Sequence, residues 1–287
     1  YMEVDDIRQS IAKYFGPKQH MGDDMLRIGG IKMVVVNDGW WAYSPEKTQA
    51  LIHEYNRHGW TIAIHINTGG ADESTELVIS ALEAASQERP IPGRRFSFEH
   101  GFGLGHPDHI RRTMALGVVI GANPLLAYYA SVRSMRMNQI MEQVRIAKMP
   151  ESDAWKRTVR DWGLPLRDWF EAGVTVTGGS DNPAVIHNPQ QPFLGQYSAL
   201  TGNTLAGALL EGQAITREQM LRMYTINNAY AVWQEQRRGS LEVGKLADMA
   251  VLDRNLLTCP AEEVRDLQVL QTYVGGECVY DRSAGGP

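Results

Sequence analysis

Short apolar runs alternate with amphipathic segments along most of the chain. Runs rich in β-branched residues predict buried strands, and they cover 31–36, 60–65, 95–100, 117–121 and 174–177. The segments between the early runs have apolar residues at helical spacing and predict helices at 5–15, 45–58, 73–86 and 107–116. The second helix has a clear start signal, because Ser44 can cap it and Pro45 fits its first turn.

The spacing of these runs indicates how the strands connect. Lys32 and His65 are 33 residues apart, and His65 and His100 are 35 residues apart. Units of this length have room for a strand, a helix and a return to a parallel neighbour. The sequence therefore predicts an α/β fold with a parallel sheet.

Two regions depart from this repeat. A long connection at 123–161, with a helix expected at 134–148, separates the fourth and fifth strands and is typical of a lid or a binding loop. A surface excursion with buried aromatic residues is the alternative. Near the end, runs at 249–252, 269–274 and 278–280, the last two joined by Gly275-Gly276, predict a small β subdomain with a hairpin.

Composition excludes several classes of protein. With 287 residues, 43% of them hydrophobic, the chain can bury a sizeable core. A net charge of −5 without a basic block argues against a nucleic-acid partner, and no apolar run approaches the length of a membrane helix. Cys259 and Cys278 are too few for a disulfide framework, so we expect a cytoplasmic protein. The sequence leaves a homo-oligomer open.

Candidate chemistry lies where predicted strands end. His65 and His100 each close an apolar run, and Asp181 follows 174–177 after Gly178-Gly179-Ser180. Any of them alone could be structural, Asp181 for instance as the first residue of an Asx-turn. Together they predict a divalent metal site, since imidazole and carboxylate suit zinc and related ions. Such an ion activates water, and a nearby carboxylate can relay the proton to a leaving nitrogen.

Lys32 is the fourth candidate. It lies inside an otherwise apolar strand, where a lysine is costly to bury unless it is paired or takes part in chemistry. A lysine at the outer end of the strand, with its ammonium in water, is the alternative interpretation.

These residues, in this order, resemble the metal-dependent amidohydrolase superfamily and are most similar to its N-substituted formamide deformylase-like branch. The resemblance runs from about residue 29 to residue 280. It also includes Glu99 beside His100, the segment 224–229 and the segment 239–248, which reads Gly-Ser-Leu-Glu-Val-Gly-Lys-Leu-Ala-Asp. Ser180-Asp181 and the Gly-Lys-Leu-Ala-Asp part of 239–248 are its most specific elements.

The resemblance implies a (β/α)8 barrel with a small β-sandwich domain, hydrolysing non-peptide C–N bonds with one or two divalent ions, zinc being the first choice. It implies that Lys32 is a carboxylated bridging ligand and that His65 and His100 are further ligands. Asp181 would be both ligand and proton shuttle. The expected substrate is a small amide, formamide or related molecule, which Tyr128, Tyr129 and Arg133 are predicted to contact.

Two features depart from the family pattern. The sequence has no His-x-His pair, which closes the first barrel strand of the family, and it has five predicted strands before the β subdomain where a barrel has eight. We therefore expect an incomplete barrel at 1–238, about its last five strands, and the C-terminal part of the sandwich at 239–287. Such a fragment would have two bare sheet edges and no activity alone. Secondly, relatives commonly have a Gly-Asp pair after His65, and this chain reads Asn67-Thr-Gly-Gly70 in that stretch.

Two other functions fit the same residues. Lys32 could act as a Schiff-base nucleophile in a barrel lyase, since a buried lysine with a lowered pKa can do so. The chain could also be a non-catalytic binding protein that kept the fold and lost the metal.

Overall fold

A computed structural model describes residues 20, 22–23, 26–37, 40–67, 72–133, 164–181, 192–205, 207 and 210–284. Its strands are β1 Ile31–Asn37, β2 Trp40–Trp41, β3 Ile62–Asn67, β4 Ser97–His100, β5 Val119–Ala122, β6 Val176–Gly178, β7 Met249–Leu252, β8 Val269–Val274 and β9 Glu277–Asp281. Its α-helices are α1 Pro45–Arg57, α2 Asp72–Glu88, α3 Pro107–Ala115, α4 Pro124–Arg133, α5 Leu166–Glu171, α6 Pro192–Thr201, α7 Arg217–Tyr224 and α8 Ile226–Ala231. Short 3-10 helices cover Glu211–Gln213, Ala261–Asp266 and Arg282–Ala284.

The larger sheet has the order β2-β1-β3-β4-β5-β6, and the five strands from β1 to β6 other than β2 form four parallel pairs. Helices α1, α2 and α3 cover its outer face, where the fully buried side chains include Ile62, Ile64, Phe96 and Phe98. Consecutive parallel strands are joined by crossover connections that usually contain a helix. These helices pack on the sheet and bury its face. The prediction of an α/β fold with a parallel sheet is confirmed.

Helix starts follow the signals in the sequence. The Ser44 side chain accepts a hydrogen bond from the Lys47 amide at 3.2 Å, and Pro45 is in the first turn of α1. His106 caps α3 in the same way, with Pro107 after it. Each cap satisfies an amide that has no partner inside its helix. The helices are thereby fixed at the strand ends that precede them.

The other face of the sheet presents one row of side chains at the level of His65. Register places Val34, His65, Glu99, Gly121 and Thr177 side by side on successive strands. The Glu99 carboxylate extends over Gly121, where an added Cβ would lie 2.7 Å from Glu99 Oε2. This row brings polar groups from distant parts of the sequence together.

Both edges of this sheet have partners among the described residues. On one side, β2 pairs antiparallel with the end of β1. On the other, side chains of α8 bond to the backbone of β6. The two edges expected of such a sheet are therefore partly covered at these positions, because local segments supply some of the missing hydrogen bonds.

A separate antiparallel sheet has the order β7-β8-β9. Its strands confirm the predicted runs near the end of the chain, and the hairpin turns at Gly275-Gly276, both with positive φ. Several apolar side chains on and near this sheet are exposed, including Val243, Val251, Val274 and Val279. The domain boundary at residue 239 stays a prediction.

Other differences from the predicted elements are local. Strand β3 continues two residues past His65, and the first ten residues or so of the expected lid are helix α4. Helix α4 packs on α6, so this stretch is an ordinary layer of the α/β unit. The predicted helices at 5–15 and 134–148 lie outside the described residues. Among the described helices, none is long and apolar enough to cross a membrane.

Candidate metal centre

Two imidazoles meet at the carboxyl end of the sheet. His65 lies near the end of β3 and His100 ends β4, the neighbouring strand. His100 Nε2 lies 2.8 Å from His65 Nδ1, and the two rings are edge to face with centroids 4.3 Å apart. Two nitrogen lone pairs can lie this close only when they share a hydrogen or a cation. The structure thus brings these two predicted site residues together, and their role as metal ligands stays a prediction.

Asn123 fixes the orientation of His100. His100 is buried, and its Nδ1 lies 2.8 Å from Asn123 Oδ1 at the start of α4. An amide oxygen only accepts, so Nδ1 carries the hydrogen and Nε2 presents its lone pair towards His65. Metal-binding histidines usually have a partner of this kind on the second nitrogen.

Asp181 lies on the other side of His100. Its Oδ2 is 3.9 Å from His100 Nδ1, and the side chain is 38% exposed. Asp181 and His100 both have left-handed backbones, with φ of 56° and 77°. Residues other than glycine adopt this conformation at a cost, and such residues concentrate at functional sites.

Lys32 lies one layer below His65 on the same sheet face. Its strand neighbour is Ala63, two residues before His65. The side chain is exposed, yet protein atoms crowd its ammonium, and this desolvation lowers the pKa of Lys32. The Glu99 and Asp181 carboxylates act in the opposite direction. The membership of Lys32 in the site stays a prediction.

His65 is held neutral. Burial, followed by the nearby His100 and Lys32, lowers its pKa from 6.5 to about 4. Its Nε2 is buried without a hydrogen-bond partner among the described atoms. A neutral imidazole with an unused lone pair is the state that binds a metal ion.

These observations fit a divalent ion at the pair of imidazoles. Zinc accepts nitrogen and carboxylate ligands, and His65, His100 and Asp181 provide both types. Within the described residues, however, no three His, Cys, Asp or Glu side chains converge into a ready-made cage. The geometry is therefore that of a two-histidine core, to which Asp181 and Lys32 are adjacent.

The sequence predicts no role for two polar residues of this region. Asn123 gives no signal in the sequence, because its role depends on where β5 ends relative to β4. Glu99 is next to His100 in the sequence, but only the strand register shows that it lies between His65 and Gly121. The Ser97 hydroxyl donates to Glu99 Oε1 at 2.5 Å and fixes the carboxylate.

The predicted substrate residues lie in a different neighbourhood. Tyr128 and Tyr129 are on α4, with ring centroids 5.3 Å apart, and pack against the cluster formed by Leu125, Leu194, Tyr197, Val264 and Leu267. Burial raises the pKa of Tyr128. Arg133 is the last residue of α4. Their contact with substrate stays a prediction.

The chain matches known proteins over most of its length. A model of the amidohydrolase family matches residues 4–280. An N-substituted formamide deformylase of Arthrobacter pascens is 32% identical over 243 residues, which is 84% of this chain and 40% of that protein. The putative amidohydrolase YtcJ of Bacillus subtilis is 22% identical and covers 86% of the chain. The chain spans about 40% of the length of these relatives.

Solved structures agree on the fold. An uncharacterized metal-dependent hydrolase from Pyrococcus horikoshii superposes with a TM-score of 0.64 at 17% identity, over 90% of this chain and 50% of its own. Ochratoxinase from A. niger gives 0.56 at 16% identity, over 88% and 51%. The chain therefore has the fold of about half of these hydrolases.

Proposed function

The chain belongs to the amidohydrolase family, and from this premise we propose that it carries part of the active site of an enzyme that hydrolyses a small non-peptide C–N bond. The observation that carries the proposal is the pair of apposed imidazoles, His65 and His100, with Asp181 beside them at the carboxyl end of the strands. The deformylase relative favours a formamide or a related amide as the substrate class.

His65 and His100 would hold a divalent ion, with Asp181 as a further ligand. When bound, such an ion lowers the pKa of water and polarises a carbonyl group. Neutral imidazoles suit this role, and the lowered pKa of His65 keeps that ring neutral at pH 7. Asn123 supports it by keeping the lone pair of His100 directed towards His65.

Asp181 would handle the proton. An attacking water must lose a proton, and the departing nitrogen must gain one, so a single carboxylate at the reaction centre can serve both steps. Asp181 is partly exposed and follows the end of β6, where its carboxylate can reach both the site and a substrate. Tyr128, Tyr129 and Arg133 remain the proposed substrate contacts.

Lys32 is the last residue of the proposed site. After carboxylation of its amine it would act as a bridging ligand. Carboxylation requires a neutral amine, and desolvation lowers the pKa of Lys32 in that direction. The carboxylated form would be an anion near Glu99, so a cation between them would be needed to offset the repulsion.

The test replaces Asp181 by asparagine in the full-length protein. We expect Asp181→Asn to lower kcat at least about a hundredfold on a formamide substrate, the order typical of one acid–base group. Asp266→Asn is the matched control, because Asp266 is an exposed aspartate beside Arg265 on the outer side of the molecule, and it should leave kcat unchanged. An Asp181→Asn variant within about threefold of wild type would refute the role of Asp181.

The two alternative functions have their own signatures. Borohydride trapping of a carbonyl compound on Lys32 would indicate the Schiff-base lyase. A full-length protein that binds no divalent ion and turns over no amide would indicate the binding relative.

A further inference from the structure

The outer edge of β6 is bonded in an unusual way. Towards β5, Thr175 O accepts from the Ile120 amide at 2.9 Å, and the Gly179 amide donates to Ala122 O at 3.0 Å. Backbone groups alternate in direction along a strand, so those of Val176 and Gly178 face away from β5. A neighbouring strand would normally bond to them.

Side chains from α8 take the place of that strand. The Gly178 amide donates to Asn228 Oδ1 at 3.2 Å, and Asn228 Nδ2 donates back to Gly178 O at 3.1 Å. Asn227 Nδ2 donates to Val176 O at 2.8 Å. The carboxamide of Asn228 therefore makes both bonds that a peptide group of a neighbouring strand would make.

The position of Asn228 is itself fixed by close packing. The Tyr224 ring, at the end of α7, lies so close to Gly178 that an added Cβ there would be 2.7 Å from Cε2. On the far side of α8, Gly239 approaches Ala229 equally closely, with an added Cβ 2.7 Å from the Ala229 methyl. Enlarging Gly178 would displace Tyr224 of α7, and enlarging Gly239 would displace α8, which indicates that the consecutive helices α7 and α8 are closely packed against both glycines.

We propose that Asn228 is a positioning residue for Asp181, acting through the backbone of Gly178. This inference rests on the proposed role of Asp181. Gly178 ends β6 and bonds to Asn228 on one side, Gly179 after it bonds to Ala122 on the other, and Asp181 follows them in a left-handed conformation. Asn228 thereby sets the point from which the segment Ser180-Asp181 leaves the sheet. Asn227 bonds two residues earlier, at Val176, and makes one bond to the strand.

The experiment compares Asn228→Ala with Asn227→Ala in the full-length protein. Both variants lose bonds to the same strand edge, so both should lower the free energy of unfolding. Only Asn228→Ala should weaken Co²⁺ binding, by about tenfold or more, the usual effect of losing a residue that orients a ligand. Its visible Co²⁺ absorption should shift, and its kcat should fall about tenfold further than that of Asn227→Ala with KM nearly unchanged.

Asn228→Asp provides a graded variant, because it keeps the acceptor for the Gly178 amide and loses the donor to Gly178 O. We expect its Co²⁺ affinity to lie between those of wild type and Asn228→Ala. Equal losses of Co²⁺ affinity and kcat in Asn227→Ala and Asn228→Ala would overturn the proposal, since both would then reflect destabilisation alone.

Amide hydrogen exchange separates this inference from the proposed function. Asn228→Ala should speed exchange at Gly178 and Gly179 by at least about tenfold relative to Asn227→Ala, whether or not the protein binds metal. Fast exchange with no Co²⁺ binding in wild type would place the failure in the proposed function. Unchanged exchange at Gly178 would refute the role of Asn228 directly.

Discussion

At the residue scale, the state of His100 depends on a single amide. Asn123 can accept only through Oδ1, and this forces the hydrogen of His100 onto Nδ1 and leaves Nε2 free to face His65. Without this partner, the buried ring could rotate or change tautomer. The ability of the two histidines to act together therefore depends on a neutral residue that carries out no chemistry.

Asn123→Ala should weaken metal binding while the fold is kept. We expect Zn²⁺ or Co²⁺ affinity to fall about 10- to 100-fold, the range seen when a partner of a ligating histidine is removed. Titration of the metal-free protein measures this. Asn203→Ala is the control, because Asn203 is also partly buried and donates to Tyr197 Oη at 2.9 Å in another part of the fold. Equal losses in both variants would contradict the assignment.

The ligand candidates could be predicted from the sequence, but their partners could not. His65, His100 and Asp181 each follow an apolar run, and a parallel sheet brings such positions to one edge. Asn123 and Asn228 act through backbone register and helix placement, which depend on tertiary packing. Asparagine is common at turns and helix starts for local reasons, so Asn123 has no distinguishing pattern in the sequence, and Asn228 is marked only as part of the segment 224–229, without a role.

At the element scale, one arginine ties α2 to α3. Arg112 is mostly buried and donates to Glu83 at 2.7 Å and to Glu76 at 2.7 Å, and it also bonds Ser80. Hydrogen bonds from Arg112 are the main reason why the pKa of Glu76 falls from 4.5 to about 2. These helices cover β3 and β4, so the network supports the strands that carry His65 and His100.

Arg112→Gln should lower the free energy of unfolding. It should also make the free energy of unfolding depend less on pH in the acid range. A carboxylate with a lowered native pKa stabilises the fold above its unfolded pKa, and this contribution is lost as the pH falls from about 4.5 towards 2. We expect the variant to lose roughly 1–2 kcal/mol at pH 7, because the carboxylates are half exposed. Between pH 4.5 and 2 its stability should fall less steeply than that of wild type.

Chemical denaturation across this pH range provides the measurement. Arg111→Gln is the matched control, because Arg111 is exposed and makes a surface pair with Asp108. Its effect should stay within about 0.5 kcal/mol. Parallel pH profiles for wild type and Arg112→Gln would show that Glu76 owes its low pKa to another group.

Strands and helices with a clear apolar periodicity could be predicted from the sequence. Elements whose conformation depends on tertiary contacts could not. The five parallel strands and the helices α1, α2 and α3 have clear apolar patterns, and α1 also has a clear start signal at Ser44-Pro45. Strand β2 has only two residues, and its pairing depends on the end of β1. Helix α4 begins directly after β5, and its tyrosines suggested a binding loop, whereas they pack against α6 and a 3-10 helix.

At the scale of the whole molecule, the described sheet is open and the second sheet is thinly covered. The larger sheet ends at β2 and β6, and the face that carries Lys32 and Glu99 is only partly buried. Several valines on the strands of the smaller sheet are exposed, among them Val251, Val274 and Val279.

Residues 1–287, expressed alone, should bind metal weakly and show no C–N hydrolase activity. Four firm ligands are usual for a stable zinc site, and the described residues offer a two-histidine core with Asp181 and Lys32 near it. Elemental analysis after dialysis and an assay on amides and formamides test this. A monomer with one ion per chain and clear turnover would show that these residues form a complete site.

The left-handed backbones of His100 and Asp181 have a consequence for how this site would decay in evolution. Each conformation costs the fold on the order of 1–3 kcal/mol, which natural selection tolerates only while the chemistry is useful. In a lineage released from that selection, glycine at position 181 would be an early replacement, because glycine adopts the left-handed backbone without a steric cost. Lost activity would then be accompanied by a more stable protein, and descendants of this kind would be recognised by glycine at a strand end.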